Sequence, residues 1–174
     1  MVKPRVCVFK TDGINCDDET VYAFELAGAV PELVHVNQLR EGVKSLGEFQ
    51  ILAIPGGFSY GDDVAAGKIL AVELITRLRD ELLRFVTRID TLTIGICNGM
   101  QVLTRMGLLP FRTLGDEWVA LLPNNSGHFE CRWVELAVHR ETVCRFLEGF
   151  GDVVTLPVAH AEGRFHASRS VLET

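Results

Sequence analysis

In the stretch "TIGICNGMQVL" a single cysteine, Cys97, stands where an apolar strand, "LTIGI", gives way to a helical pattern. Glycines lie two residues to either side, Gly95 and Gly99, so the spacing is G-x-C-x-G. This is the cysteine counterpart of the nucleophile elbow, in which a sharp strand-to-helix turn lifts a reactive side chain and small neighbours let the backbone turn tightly. A thiol there has its thiolate favoured by the helix dipole and by free N–H groups, and the N–H of Asn98 is placed to donate to an oxyanion. The pentad alone leaves a second reading open, a thiol buried between strand and helix, since glycines are common at such junctions.

A second stretch bears on the choice. "AIPGGFSYGDD" follows a neighbouring strand, and the consecutive Gly56 and Gly57 let backbone N–H groups approach a ligand without interference from a Cβ, as an oxyanion hole requires. A thiol nucleophile also needs a base, and a carboxylate to orient it. "AHAEG" offers His160 and Glu162, which would share a face if both lay on one strand.

These residues need a frame to hold them. "RVCVF", "PELVHV", "FQILAI" and "TLTIGI" read as four strands, and "DDETVYAFELAGA" as a helix behind an acidic first turn. "QLREG" reads as a turn of helix. From Lys68 to Ile89 apolar residues recur at three- and four-residue steps, predicting one long or two abutting helices, and "NGMQVLTRM" predicts another. Short apolar strands alternating with helices imply an α/β fold, a doubly wound and mostly parallel sheet covered on both faces. In such sheets reactive sites gather beyond the carboxyl ends of the strands, where Cys97 would sit. Past Leu108 the pattern changes. "WVALLPNN", "GHFECRWVELAVH" and "VVTLPVAHAEGRFHA" read as appended antiparallel strands, "RETVCRFLEGF" as a helix between them, and "SRSVLET" as no element.

The whole composition bounds what such a site can serve. With 174 residues, 48% of them hydrophobic, the chain suits one packed domain over 1–174. A net charge of -6, without any basic run interleaved with aromatics, argues against nucleic-acid binding. No apolar run is long enough to span a membrane and the N-terminus does not read as a signal peptide, so a cytoplasmic location is expected. Five cysteines (Cys7, Cys16, Cys97, Cys131 and Cys144) without a C-x-x-C pair suit neither a disulfide framework nor a structural zinc site, and no metal is expected.

Four segments in order, "IPGGFSYGDD", "GICNGMQVL", "PNNSGHFECRW" and "PVAHAEGRF", resemble the glutamine amidotransferase subunits of phosphoribosylformylglycinamidine synthases, within the triad-type class I amidotransferases. The resemblance implies a flavodoxin-like fold that hydrolyses L-glutamine through a cysteine thioester. It implies transfer of the ammonia to a large synthetase subunit, sometimes bridged by a small third one, which uses ATP and magnesium; no cofactor is implied for this chain. Cys97 matches the nucleophile, Gly57 and Asn98 the oxyanion hole, and Gln101, Asn124, Ser126 and Phe129 the positions that hold the substrate. His128 stands where relatives often carry arginine. In relatives the histidine and glutamate of the triad belong to a later H-P-E-R segment, which this sequence lacks, so the resemblance implies a domain without its C-terminal portion and gives His160 and Glu162 only a minor claim to the role.

Overall fold

A computed structural model describes residues 3–139, 141 and 144–173. Its backbone divides into two compact units, residues 1–121 with 165–174, and residues 122–164.

The first unit is built on four parallel strands: β1 (Arg5–Lys10), β2 (Val30–His35), β3 (Ile51–Ile54) and β4 (Leu92–Gly95), in the order β2-β1-β3-β4. Alternation along β1 sends Cys7 and Phe9 to one face and Val6 and Val8 to the other, and all four are buried. Both faces therefore need cover, as parallel sheets do. On one face α1 (Asp17–Leu26) lays Val21 and Phe24 against Val6, Val8 and Ala53. The other face carries the larger core, with Leu70 and Leu74 of α3 (Lys68–Arg77), Leu82 and Phe85 of α4 (Arg79–Val86), and Val102 and Leu103 of α5 (Asn98–Arg105). The periodic run from Lys68 thus resolves into two abutting helices, broken at Leu78, and α2 (Val36–Arg40) supplies the short helical turn expected near "QLREG".

Local chemistry accounts for the helix ends. The first turn of α1 carries Asp17, Asp18 and Glu19, which complement the positive end of its dipole. Gly107, at φ +81, follows the end of α5 in the left-handed conformation that closes helices.

Beyond Leu108 β5 (Val119–Leu122) pairs with β8 (Arg164–Ala167). In the second unit β6 (Glu130–Ala137) pairs antiparallel with β7 (Val153–His160), in register from Glu130 opposite His160 to Ala137 opposite Val153. Two expectations change here. "RETVCRFLEGF" keeps only a 3-10 turn at Arg145–Leu147 among its described residues; residues 140, 142 and 143 lie outside them. "SRSVLET" does form an element, the short helix α6 (Arg169–Leu172), because the Ser168 hydroxyl accepts the N–H of Val171 as an N-cap.

Candidate active site

Cys97 occupies the turn between the end of β4 at Gly95 and the first residue of α5, Asn98. Its backbone is at φ 53 and ψ -112, a conformation that non-glycine residues rarely adopt, and its side chain is exposed. The turn is pinned by Ile96 N–H donating to Ile54 O at 3.0 Å and by Met100 and Gln101 N–H donating to Cys97 O at 3.0 and 3.2 Å. The two glycines of the pentad have separate steric reasons. A Cβ on Gly95 would lie 2.5 Å from Gly99 O, and one on Gly99 would lie 1.9 Å from Ile54 O. The helix can start this close to the sheet only because neither residue has a side chain.

The glycine pair after β3 reaches the same place. A Cβ on Gly56 would come 3.4 Å from Cys97 Cβ, so the Gly56 backbone lies directly against the nucleophile candidate. Gly57 has φ +138, and a Cβ there would meet Gly13 O at 2.7 Å and Asn15 N at 2.8 Å. Neither the Gly57 N–H nor the Asn98 N–H makes a hydrogen bond among the described residues; the latter is the first N–H of α5, with no acceptor inside the helix. The Asn98 N–H thus directly follows Cys97 in the chain, and Gly57 directly follows the glycine that packs on it.

The Asn98 side chain organises the loop around them. Its Oδ1 accepts from Ser59 N (3.3 Å) and Ser59 Oγ (2.7 Å), and its Nδ2 donates to both carboxylate oxygens of Asp62 (3.0 and 3.2 Å) and to Gln101 Oε1 (3.4 Å). Asp62 in turn accepts the N–H of Gly67 at 2.9 Å. Asn98, Ser59 and Gln101 are all buried. This clamp holds a backbone in which Tyr60, Gly61 and Asp62 all have positive φ. Gln101, expected to hold substrate, is thus one turn from Cys97 and packed inside the clamp.

The loop after β1 is a third wall that the sequence reading passed over. Phe58 N–H donates to Gly13 O (2.8 Å), Cys16 N–H to Gly56 O (3.3 Å) and Tyr60 N–H to Asp12 O (2.9 Å). The Thr11 hydroxyl reaches the Tyr60 hydroxyl at 2.8 Å, and the latter also donates to Glu73. Burial, then the charge of the nearby Glu19, push the Cys16 thiol upward from its ordinary value. Burial raises the Cys7 thiol far more, which marks it as inert packing. The signal for this wall was "TDGINC" itself, a glycine and polar residues directly after a strand in a parallel sheet.

Asn124, Ser126 and Phe129 lie in the second unit. Asn124 spends its amide locally: Nδ2 donates to His128 O and His160 O, both at 2.9 Å, while Oδ1 accepts the Gly163 N–H at 3.0 Å and faces His160 Nδ1 at 3.0 Å. Ser126 Oγ donates to His128 O at 3.4 Å, and Phe129 is 53% exposed. "NNSG" is the turn its composition suggests, closed by Gly127 N–H on Asn124 O. His160 ends β7, whereas Glu162 lies in the turn before β8, so strand alternation does not put their side chains on one face. A histidine and a glutamate two residues apart do approach in this unit, with His128 Nδ1 3.8 Å from Glu130 Oε1. Among the described residues no group of three histidine, cysteine or acidic side chains is arranged to hold a metal ion, and no helix is long and apolar enough to cross a membrane.

Comparison with known proteins fits this geometry. Residues 3–174 match the model of the CobB/CobQ-like glutamine amidotransferase domain. Phosphoribosylformylglycinamidine synthase subunit PurQ of Dehalococcoides mccartyi is 47% identical over 172 residues, covering 99% of this chain and 67% of that protein. Its namesake in Methanococcus maripaludis is 42% identical, covering 95% of this chain and 60% of the relative. The chain thus spans 60 to 67% of the length of these curated relatives. The solved structure of PurLQS from Thermotoga maritima contains a chain that superposes with a TM-score of 0.78 at 34% identity, covering 96% of this chain and 71% of that one. An elbow cysteine on a parallel sheet, with a glycine pair beside it, occurs in a chain whose matched length is almost complete: the chain belongs to the CobB/CobQ-like glutamine amidotransferase domain family.

Proposed function

We propose that this chain is the glutaminase component of a phosphoribosylformylglycinamidine synthase. The observation that carries the reading is the exposed Cys97 at positive φ, with the N–H of Asn98 following it at the start of a helix and the Gly56 backbone packed against it; Gly57 and Asn98 are the residues we assign to the oxyanion. The Cys97 thiolate attacks the side-chain amide carbon of L-glutamine. The oxygen of the tetrahedral intermediate is held by the two N–H groups, which are fixed before the reaction and cost no reorganisation. A proton goes to the amide nitrogen, ammonia leaves, and a water molecule attacks the resulting thioester to release glutamate and restore the thiol.

Gln101, Asn124, Ser126 and Phe129 are the residues we assign to holding the glutamine, on the motifs they share with such subunits. The ammonia passes to a synthetase subunit, which uses ATP and magnesium to convert formylglycinamide ribonucleotide to its amidine; a small third subunit completes some such complexes. This chain itself needs no cofactor, and the work is done in the cytoplasm. Support comes from the names of the relatives and from the PurLQS structure.

Cys97→Ser in the complex should abolish glutamine-dependent synthesis and leave ammonia-dependent synthesis intact, since a serine hydroxyl at this elbow lacks an activated thiolate. Retained use of glutamine would overturn the assignment. The base is separately testable: His160 Nδ1 is engaged with Asn124, and His160→Ala should leave glutamine-dependent ammonia release unchanged. A dead His160→Ala variant beside an active parent would make His160 the base.

A further inference from the structure

Of the three cysteines in the first unit, Cys7 is buried, whereas Cys16 and Cys97 are exposed. Each exposed thiol stands directly before a helix, Cys16 before Asp17 of α1 and Cys97 before Asn98 of α5. The two come together at Gly56. A Cβ built on this glycine would lie 3.4 Å from Cys97 Cβ and 3.7 Å from Cys16 Sγ. One point beside the Gly56 backbone, filled only by a hydrogen, is therefore in van der Waals reach of both side chains.

Backbone contacts hold this approach in place. Cys16 N–H donates to Gly56 O at 3.3 Å, Phe58 N–H donates to Gly13 O at 2.8 Å, and Ile14 pairs antiparallel with Gly57. The segment that carries Cys16 is thereby laced to the glycine pair, while Ile96 N–H on Ile54 O holds the elbow to the same strand end. Cys16 Sγ makes only a weak contact of its own, with Asn15 Oδ1 at 3.6 Å. The two thiols differ in readiness. Cys97 is the thiol presented on the elbow, whereas desolvation and then the charge of Glu19 hold Cys16 above its ordinary value, so that it stays protonated at neutral pH and reacts slowly with an oxidant by itself. A reactive, accessible thiol beside a second one that can resolve it is the arrangement of redox-sensing cysteines.

We propose that Cys16 and Cys97 form a reversible disulfide when the protein meets hydrogen peroxide, with Cys16 as the resolving thiol. The Cys97 sulfur attacks one peroxide oxygen, the O–O bond breaks, and water leaves as Cys97 becomes a sulfenic acid. The Cys16 sulfur then attacks the Cys97 sulfur, the S–O bond breaks, and the hydroxyl departs with the Cys16 proton as a second water. Two thiols are oxidised to one disulfide, and one peroxide is reduced to two waters. The backbone ties already hold the two segments together, so rotation of two exposed side chains is the movement that brings the sulfurs to the S–S distance of about 2.0 Å. Formation of the disulfide depends on this geometry alone; that it stops glutamine hydrolysis rests on the reading of Cys97 as the nucleophile.

Peptide mapping without reduction, after exposure of the 174-residue chain to hydrogen peroxide and capping of remaining thiols, tests it directly. The peptides that hold Cys16 and Cys97 should be found linked, in protein that still runs as a monomer without reductant, and dithiothreitol should separate them. In Cys16→Ser the link should be missing and Cys97 should pass on to sulfinic acid, which dithiothreitol does not reverse. An unchanged melting temperature under reducing conditions verifies the fold of that variant, and the mapping of the parent does not depend on it. A glutamine-mimicking diazo-ketone supplies the second readout. It should label Cys97 of the reduced parent, fail after peroxide, and label again after dithiothreitol, whereas peroxide-treated Cys16→Ser should not recover. A linked pair in a parent that the diazo-ketone never labels would uphold the disulfide and overturn the glutaminase reading. Sulfinic acid on Cys97 of the parent with no link to Cys16, or a link from Cys97 to Cys131 or Cys144, would overturn the proposal.

Discussion

Cys97 is held in a backbone conformation that few non-glycine residues adopt. A non-glycine residue at φ 53 costs on the order of 1–3 kcal/mol, and an exposed thiol returns little of that through packing. Its neighbours are chosen by contact with backbone atoms. Gly99→Ala would drive a methyl group to 1.9 Å from Ile54 O and should destabilise the protein by at least the roughly 1–3 kcal/mol typical of overpacking, read as a lower urea midpoint with an unchanged slope. A midpoint equal to the parent's would show that the elbow is not packed as described. The five thiols should also separate by reactivity: at neutral pH iodoacetamide should leave Cys7 unmodified until the protein unfolds, because burial pushes its thiol far up, and peptide mapping reads the outcome. Rapid labelling of Cys7 in the folded protein would contradict the core assignment. The elbow was legible from five residues because its spacing follows from sterics. The side-chain roles of Asn98 and Asp62 were not, since a buried amide clamping a loop 36 residues away in sequence leaves no local periodicity.

At the scale of elements, the site depends on how two loops and the start of α5 are tied together. Asn98→Ala removes the partner of Ser59 and Asp62 at once, and leaving such groups unsatisfied should cost about 1–3 kcal/mol. Loosening the loop that carries Gly57 should also slow reaction of Cys97 with a glutamine analogue; a variant with parental stability and labelling rate would show that the clamp is dispensable. The base of the third wall is tied by Lys10 to the buried carboxylate of Asp17, the first residue of α1. That hydrogen bond raises the lysine above its ordinary value of 10.5, so the folded state holds this proton more tightly than the unfolded one. Its contribution is complete below that ordinary value and disappears as pH rises past the raised one. The stability gap between the parent and Lys10→Met should therefore hold from neutral pH upward and close only in strong alkali, as pH-dependent denaturation would show; a gap that closes near neutrality would contradict the pairing. The four parallel strands and the helices between them were plain from periodicity. "SRSVLET" was missed because α6 rests on a single serine cap and has no apolar stripe, and the strand-like run ending at "RFHA" concealed the turn that separates His160 from Glu162.

For the molecule as a whole, Cys97, Gly57 and Asn98 come from the first unit, whereas Asn124, Ser126 and Phe129 belong to the second. One demand therefore falls on the first unit alone, that Cys97 be a nucleophile directed at glutamine. Intact-mass analysis and peptide mapping after exposure to a glutamine-mimicking diazo-ketone test this demand without requiring turnover. The predicted result is one adduct, on Cys97, slowed by free L-glutamine and missing in Cys97→Ser. An adduct that falls on another cysteine, or one that L-glutamine does not slow, would contradict the central claim.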